Sequence, residues 1–150
     1  MNMPAIIPYD DSVYRGQVIA IWEAAFGYES AHNQPGLTID KKVAVGDRLF
    51  FVAIDGDTVL GTIMAGYDGH RGWIYSVAVD ASHRRQGIGA HLVAHAEQAL
   101  ASKGCVKINL QIIEGNEDAR AFYSSLGYCV EKRVSMGKLI PENSKIPAKI

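Results

Sequence analysis

The chain has 150 residues, 48% of them apolar and 21% charged, with a formal net charge of −1. This length predicts one domain over 1–150 with a core that needs no staples. The charge, with no basic run beyond Arg84-Arg85, argues against a nucleic-acid partner, because duplex affinity rests on neutralising many phosphates. No apolar run approaches the ~20 residues of a membrane helix, and Met1-Asn2-Met3-Pro4 lacks the features of a signal peptide. Neither a membrane partner nor export is expected. Cys105 and Cys129 are far apart and form no C-x-x-C pair. They predict a reducing, cytoplasmic setting, with both thiols as small core residues in strands.

In chain order, Ile6-Ile7 opens as a short strand. Asp10 or Asp11 caps a helix to about Phe26, with Val18, Ile21, Trp22 and Ala25 on its apolar face and Gly27 at its end. Tyr28 to Gly36 reads as a loop, and Thr38 caps a second helix through about Val45. The runs Leu49–Ile54 and Val59–Tyr67 flank Asp55-Gly56-Asp57 and predict a hairpin. A second turn over 68–72 leads to a strand from Trp73 to Val79, completing an antiparallel meander.

The period then changes. From Gly87 to about Lys103, Ile88, Leu92, Ala96 and Ala99 share a helical face. Cys105–Ile113 reads as a strand. Asn116–Leu126 reads as a helix with Ala119, Phe122 and Leu126 inward, and Tyr128–Met136 as a last strand. The segment 138–150 is an arm or tail. The predicted class is α/β, a mixed, mostly antiparallel sheet flanked by helices, in the order β-α-α-β-β-β-α-β-α-β.

The segment from Val77 to Ala90 joins a strand end to a helix start, where free N–H groups and the positive end of the helix dipole attract anions. Gly87 and Gly89 let backbone approach a ligand closely. Arg84 and Arg85 oppose the dipole unless an anion such as a diphosphate lies between them. A P-loop would need G-x-x-x-x-G-K, which is absent. A dinucleotide fingerprint would need a third glycine where Leu92 stands.

The pattern Arg84-x-x-Gly87-x-Gly89 after Val77-Ala78-Val79-Asp80 resembles the acetyl-CoA motif of the GNAT superfamily of N-acetyltransferases, and the element order resembles that family's. The stretches Ala65–Gly72 and Ile21-Trp22-Glu23 resemble its bacterial YpeA branch. The resemblance implies a bulged fourth strand that splays from the fifth. Val77, Ala78 and Val79 would hold the pantetheine, with a backbone N–H near Val77 on the thioester carbonyl. Arg84, Arg85, Gln86, Gly87, Ile88, Gly89 and Ala90 would hold the pyrophosphate. Asn116 matches an asparagine that contacts the CoA arm, and Tyr123 a tyrosine that protonates the departing thiolate.

The general base is open. Gln111 stands where some relatives place a glutamate, which leaves Asp68, His70, Glu114 or water. The implied acceptor is a small-molecule or peptide amine, with Tyr28 and His32 near its pocket, and a homodimer is compatible. No metal is expected: His91 and His95 have zinc-compatible spacing, but Leu92 breaks H-E-x-x-H, and a solvated helix flank explains them. A non-catalytic acyl-CoA-binding or regulatory module and a nucleotide-binding protein are the alternatives.

Overall fold

The computed structural model describes residues 3–27 and 33–141. Tyr28, His32 and the end of the tail lie outside the described residues. The chain divides between Glu114 and Gly115 into two compact units.

The first unit holds β1 (Ala5–Pro8), α1 (Asp11–Phe26), α2 (Pro35–Val45), β2 (Phe50–Asp55), β3 (Thr58–Tyr67), β4 (Arg71–Val79), α3 (Ile88–Ala101) and β5 (Lys107–Asn109). The strands form one sheet in chain order. The first three pairings are antiparallel, and β4 pairs with β5 in parallel.

Asp10 caps α1 by accepting the Ser12 N–H at 3.0 Å, and Gly27 closes it at φ +58°. α2 starts before Thr38, with Gln34 at the cap position, no capping side chain, and Pro35 in the first turn. Proline's fixed φ suits that position, and its missing N–H costs nothing there.

Both sheet faces are covered. On one, α1 and α2 bring Tyr14, Val18, Ile21, Trp22 and Ile39 against Phe50, Val52, Val59, Met64 and Ala78. On the other lies α3. Its Leu92 and Leu100 reach Gly61 and Gly72 so closely that a Cβ at either glycine would clash. Phe51 meets His95 of α3 edge-on, centroids 4.6 Å apart. Coverage on both sides explains why β2 and β3 read as unbroken apolar runs.

In the second unit, Asn116 caps α4 (Glu117–Ser125) by accepting the Ala119 N–H at 3.1 Å. Glu117 and Asp118 face the positive dipole end, and Gly127 ends the helix at φ +94°. Ala119, Phe122 and Leu126 are half-buried rather than fully so.

Three further expectations need correction. No strand forms over 128–136. A strand requires a neighbour's ladder, the described residues supply none there, and Val130, Val134 and Met136 are exposed. β5 covers three residues instead of nine because its pairing with β4 stops at Asn109. Neither cysteine is a core strand residue. Cys105 is half-buried in the turn after α3, its thiol on the Lys107 carbonyl at 3.2 Å, and Cys129 is exposed.

Candidate active site

β4 is regular from Arg71 to Tyr75 and then gains a residue. Met64 faces Tyr75, but Thr62 faces Ala78, so two β3 steps span three β4 steps. The extra residue makes a bulge at Ser76, whose φ of +51° is left-handed, a conformation uncommon outside glycine. The pairing of β4 with β5 has already ended at Trp73–Asn109. From Ile74 onward, Val77, Ala78 and Val79 included, β4 has no ladder partner on its β5-facing side among the described residues.

β4 runs into a pinned turn. The Asp80 carboxylate accepts the Ser82 N–H, the Ser82 hydroxyl and the His83 Nδ1, the last at 3.0 Å. These contacts, the Ser82 hydroxyl foremost, hold its pKa below the usual carboxylate value. Arg84 folds back so that its Nε donates to the Val79 carbonyl at 3.4 Å. Arg85 and Gly87 take left-handed φ values of +63° and +80°. Gly87 is the cap residue of α3 and offers no side chain, and the first turn of α3 has no acid. The opening N–H groups, including those of Ile88, Gly89 and Ala90, therefore meet no capping side chain. α1 and α4, by contrast, have Asp10 and Asn116 as caps and acids in their first turns. Arg84 and Arg85 are both exposed beside these N–H groups. The loop thus gathers backbone donors, a helix dipole and two guanidinium groups, which suits an anion.

A groove of about 570 Å³ flanks the loop on the β1 side, lined by Met3, Asp55, His83, Gln86 and Ile88 among others. The Asp55 carboxylate makes it a poor phosphate site.

Asn116 and Tyr123 belong to the second unit. Asn116 spends its side-chain oxygen on the α4 cap. The Tyr123 ring lies edge-on to Phe122 and Tyr128, at centroid distances of 4.9 and 5.8 Å. Burial pushes its phenol up to about 12.

Among the candidate bases, Asp68 is committed to its turn. Its carboxylate accepts the N–H groups of His70 and Arg71, each at 2.8 Å. Those bonds, Arg71's first, hold its pKa below the usual value. His70 and Glu114 are exposed. Among the described residues no group of three or more His, Cys, Asp or Glu side chains converges. No helix there is long and apolar enough to cross a membrane.

The family model of the acetyltransferase (GNAT) family matches residues 16–128. The chain belongs to the GNAT acetyltransferase family. An acetyltransferase of Yersinia pestis (strain Pestoides F) is 33% identical over 122 residues, 81% of this chain and 86% of that protein. Two solved structures share the fold. Ard1 from Thermoplasma volcanium superposes with a TM-score of 0.76 at 20% identity, covering 87% of this chain and 85% of its own. The PaiA N-acetyltransferase from Thermoplasma acidophilum, solved in complex with coenzyme A, gives 0.74 at 18%, covering 89% and 94%.

Within this GNAT domain three residues at the bulge escaped the sequence reading as functional positions. Trp22 and Thr62 are fully buried. The Trp22 Nε1–H donates to the Thr62 Oγ1 at 2.8 Å, and that hydroxyl lies 2.9 Å from the Ser76 carbonyl oxygen. The available signal was a threonine inside the apolar run Val59–Met64 and a serine inside Trp73–Val79.

Proposed function

We propose that this GNAT protein transfers the acetyl group of acetyl-CoA to a primary amine. The observation that carries the reading is the bulged, unladdered end of β4 leading directly into the uncapped start of α3 behind Arg84 and Arg85. The pantetheine would lie along Val77–Val79 and the pyrophosphate on Arg84–Ala90. Asn116, by the family resemblance, would contact the CoA arm.

The amine nitrogen attacks the thioester carbonyl carbon, and the oxyanion is stabilised by the Val77 N–H. Such a donor is worth about 3 kcal/mol at the transition state. Collapse of the intermediate breaks the C–S bond. The thiolate then takes a proton from Tyr123, and the nitrogen loses one. A phenol raised to about 12 is a weaker acid than a thiol of pKa ~8.5. Full transfer is therefore uphill unless the proton lost from the nitrogen is relayed back to the phenolate. Tyr123 thus acts first as a hydrogen-bond donor to the leaving sulfur. With Asp68 committed to its turn, the nitrogen's proton leaves through His70, Glu114 or water. The acceptor is a small-molecule or peptide amine.

Thermal denaturation with acetyl-CoA, CoA, NAD and ATP side by side tests the cofactor. A ligand at 100 times its Kd adds about 2.7 kcal/mol. Stabilisation by the two CoA ligands alone supports the reading, and a larger effect of NAD or ATP overturns it. A non-catalytic acyl-CoA module would bind equally well but release no thiol with any amine.

A further inference from the structure

We propose that Thr62, held by Trp22, is the positioning residue that aims the Val77 N–H. The inference rests on the acetyl-transfer reading for its purpose, but its geometry is independent of it. An indole nitrogen can only donate. With Trp22 donating into the Thr62 oxygen at 2.8 Å, the single hydroxyl hydrogen of Thr62 is free for one acceptor, the Ser76 carbonyl at 2.9 Å. All three groups stand where the strand register breaks. The Ser76 carbonyl and the Val77 N–H share one planar trans peptide, so they point in opposite directions. Drawing the carbonyl toward Thr62 on β3 turns the N–H away from β3, to the side where β5 has left the ladder.

The left-handed φ of Ser76 fits this role. A non-glycine residue stays there only when its surroundings hold it, and the buried hydroxyl supplies that hold. The aim of the donor is therefore set from four elements earlier in the sequence, by an α1 indole acting through a β3 hydroxyl on a β4 carbonyl.

Nuclear magnetic resonance on the full chain tests this, comparing wild type with Thr62→Val, which keeps the shape and removes the hydroxyl, and Thr62→Ser, which keeps the hydroxyl. Without ligand, the Ser76 backbone shifts should report a left-handed residue in wild type and T62S and lose that signature in T62V. On titration, the Val77 amide proton should respond to acetyl-CoA beyond its response to CoA. That difference should vanish in T62V and persist in T62S, while the Ile88, Gly89 and Ala90 amides respond to both ligands in all three proteins. With an amine found by thiol release, T62V should lose roughly ten- to hundredfold in kcat at unchanged CoA affinity, and T62S should recover it.

If T62V does not fold, Trp22→Phe releases the hydroxyl from its fixed rotamer and should shrink the acetyl-specific Val77 response. A T62V protein that keeps the left-handed Ser76 signature overturns the proposal, as does a W22F protein whose Val77 response is unchanged. If no CoA ligand moves the Ile88–Ala90 amides of wild type, the acetyl-transfer reading fails, and the ligand-free Ser76 signature alone decides the relay.

Discussion

Tyr123 and His95 are two side chains whose surroundings displace their proton equilibria in measurable ways. Burial raises the Tyr123 phenol from its usual 10 to about 12, so the folded state favours its neutral form. The associated stability is present below pH 10 and is lost as pH rises toward 12. If Tyr123 donates to the leaving sulfur, kcat should rise as the amine deprotonates and show no descending limb at pH 10. A limb there, measured with a fixed acceptor, would assign the proton to another group. Tyr123→Phe should lower kcat by roughly tenfold to a thousandfold, within and below the range of general acid catalysis, and leave the CoA Kd unchanged. His95 titrates in the opposite sense. Burial, then the neighbouring His91, holds its pKa below the usual 6.5. Its folded form resists the proton, so stability is intact above pH 6.5 and falls as pH drops through that value toward the depressed pKa. Urea midpoints should show this acid-side slope, and His95→Gln should flatten it.

At the scale of elements, the close approach of β3 to β4 and α3 sets the tightest tolerance in the sheet. A Cβ on Gly61 would lie 2.9 Å from the Ala78 carbonyl oxygen and 3.0 Å from Leu92 Cδ1. The carbonyl belongs to the strand proposed to hold pantetheine, so it cannot swing aside like a side-chain end. Gly61→Ala should cost about 1–3 kcal/mol as an overpacking change and weaken CoA binding, readable as a lower urea midpoint and a raised Kd. Gly87 is constrained differently, by its φ of +80°. Alanine there should cost about 1–2 kcal/mol and tilt the first N–H groups of α3, with the same two readouts. The elements were legible wherever a local signal was complete: Asp10 before α1, Gly27 after it, Asp55-Gly56-Asp57 between β2 and β3. The start of α2 was misplaced because Pro35 serves a helix start without capping, so Thr38 drew the boundary inward. The bulge was expected only through the family resemblance. Nothing local to Ser76 marks it, since its cause lies on β3 and α1.

For the whole molecule, coverage on both faces of the sheet predicts where stability is highest. Val52, Ala53, Ile63 and Ala65 are fully buried, between α1 and α2 on one side and α3 on the other. Amides of β2 and β3 should exchange hydrogen only through global unfolding. Those of β5, whose ladder with β4 spans three register pairs, should exchange much faster. Equal protection of β3 and β5 in a native-state exchange series would contradict this. The order of elements through α4 was readable from the helical spacing in α1, α3 and α4, the apolar runs of β2 and β3, and the turn residues between elements. The extent of β5 and the absence of a strand over 128–136 were not, because a run of alternating apolar residues specifies a face and leaves the ladder partner unspecified. Much of the candidate anion site was readable from two glycines and two arginines. Its positioning device was not, because Trp22, Thr62 and Ser76 are separated by 40 and 14 residues and each alone looks like ordinary core or strand.

The opening donors of α3 are main-chain groups, as is the Val77 N–H, and this bears on how the protein can change over generations. A point substitution replaces a side chain and leaves the peptide N–H in place, proline excepted. An anion held by Ile88, Gly89 and Ala90 is therefore insulated from most mutational drift. The vulnerable positions are those that shape the backbone from a distance, such as Gly61, Thr62 and Gly87. If the proposed site holds acetyl-CoA, substitutions can therefore alter the contacts to the acceptor while the main-chain donors to the cofactor stay in place.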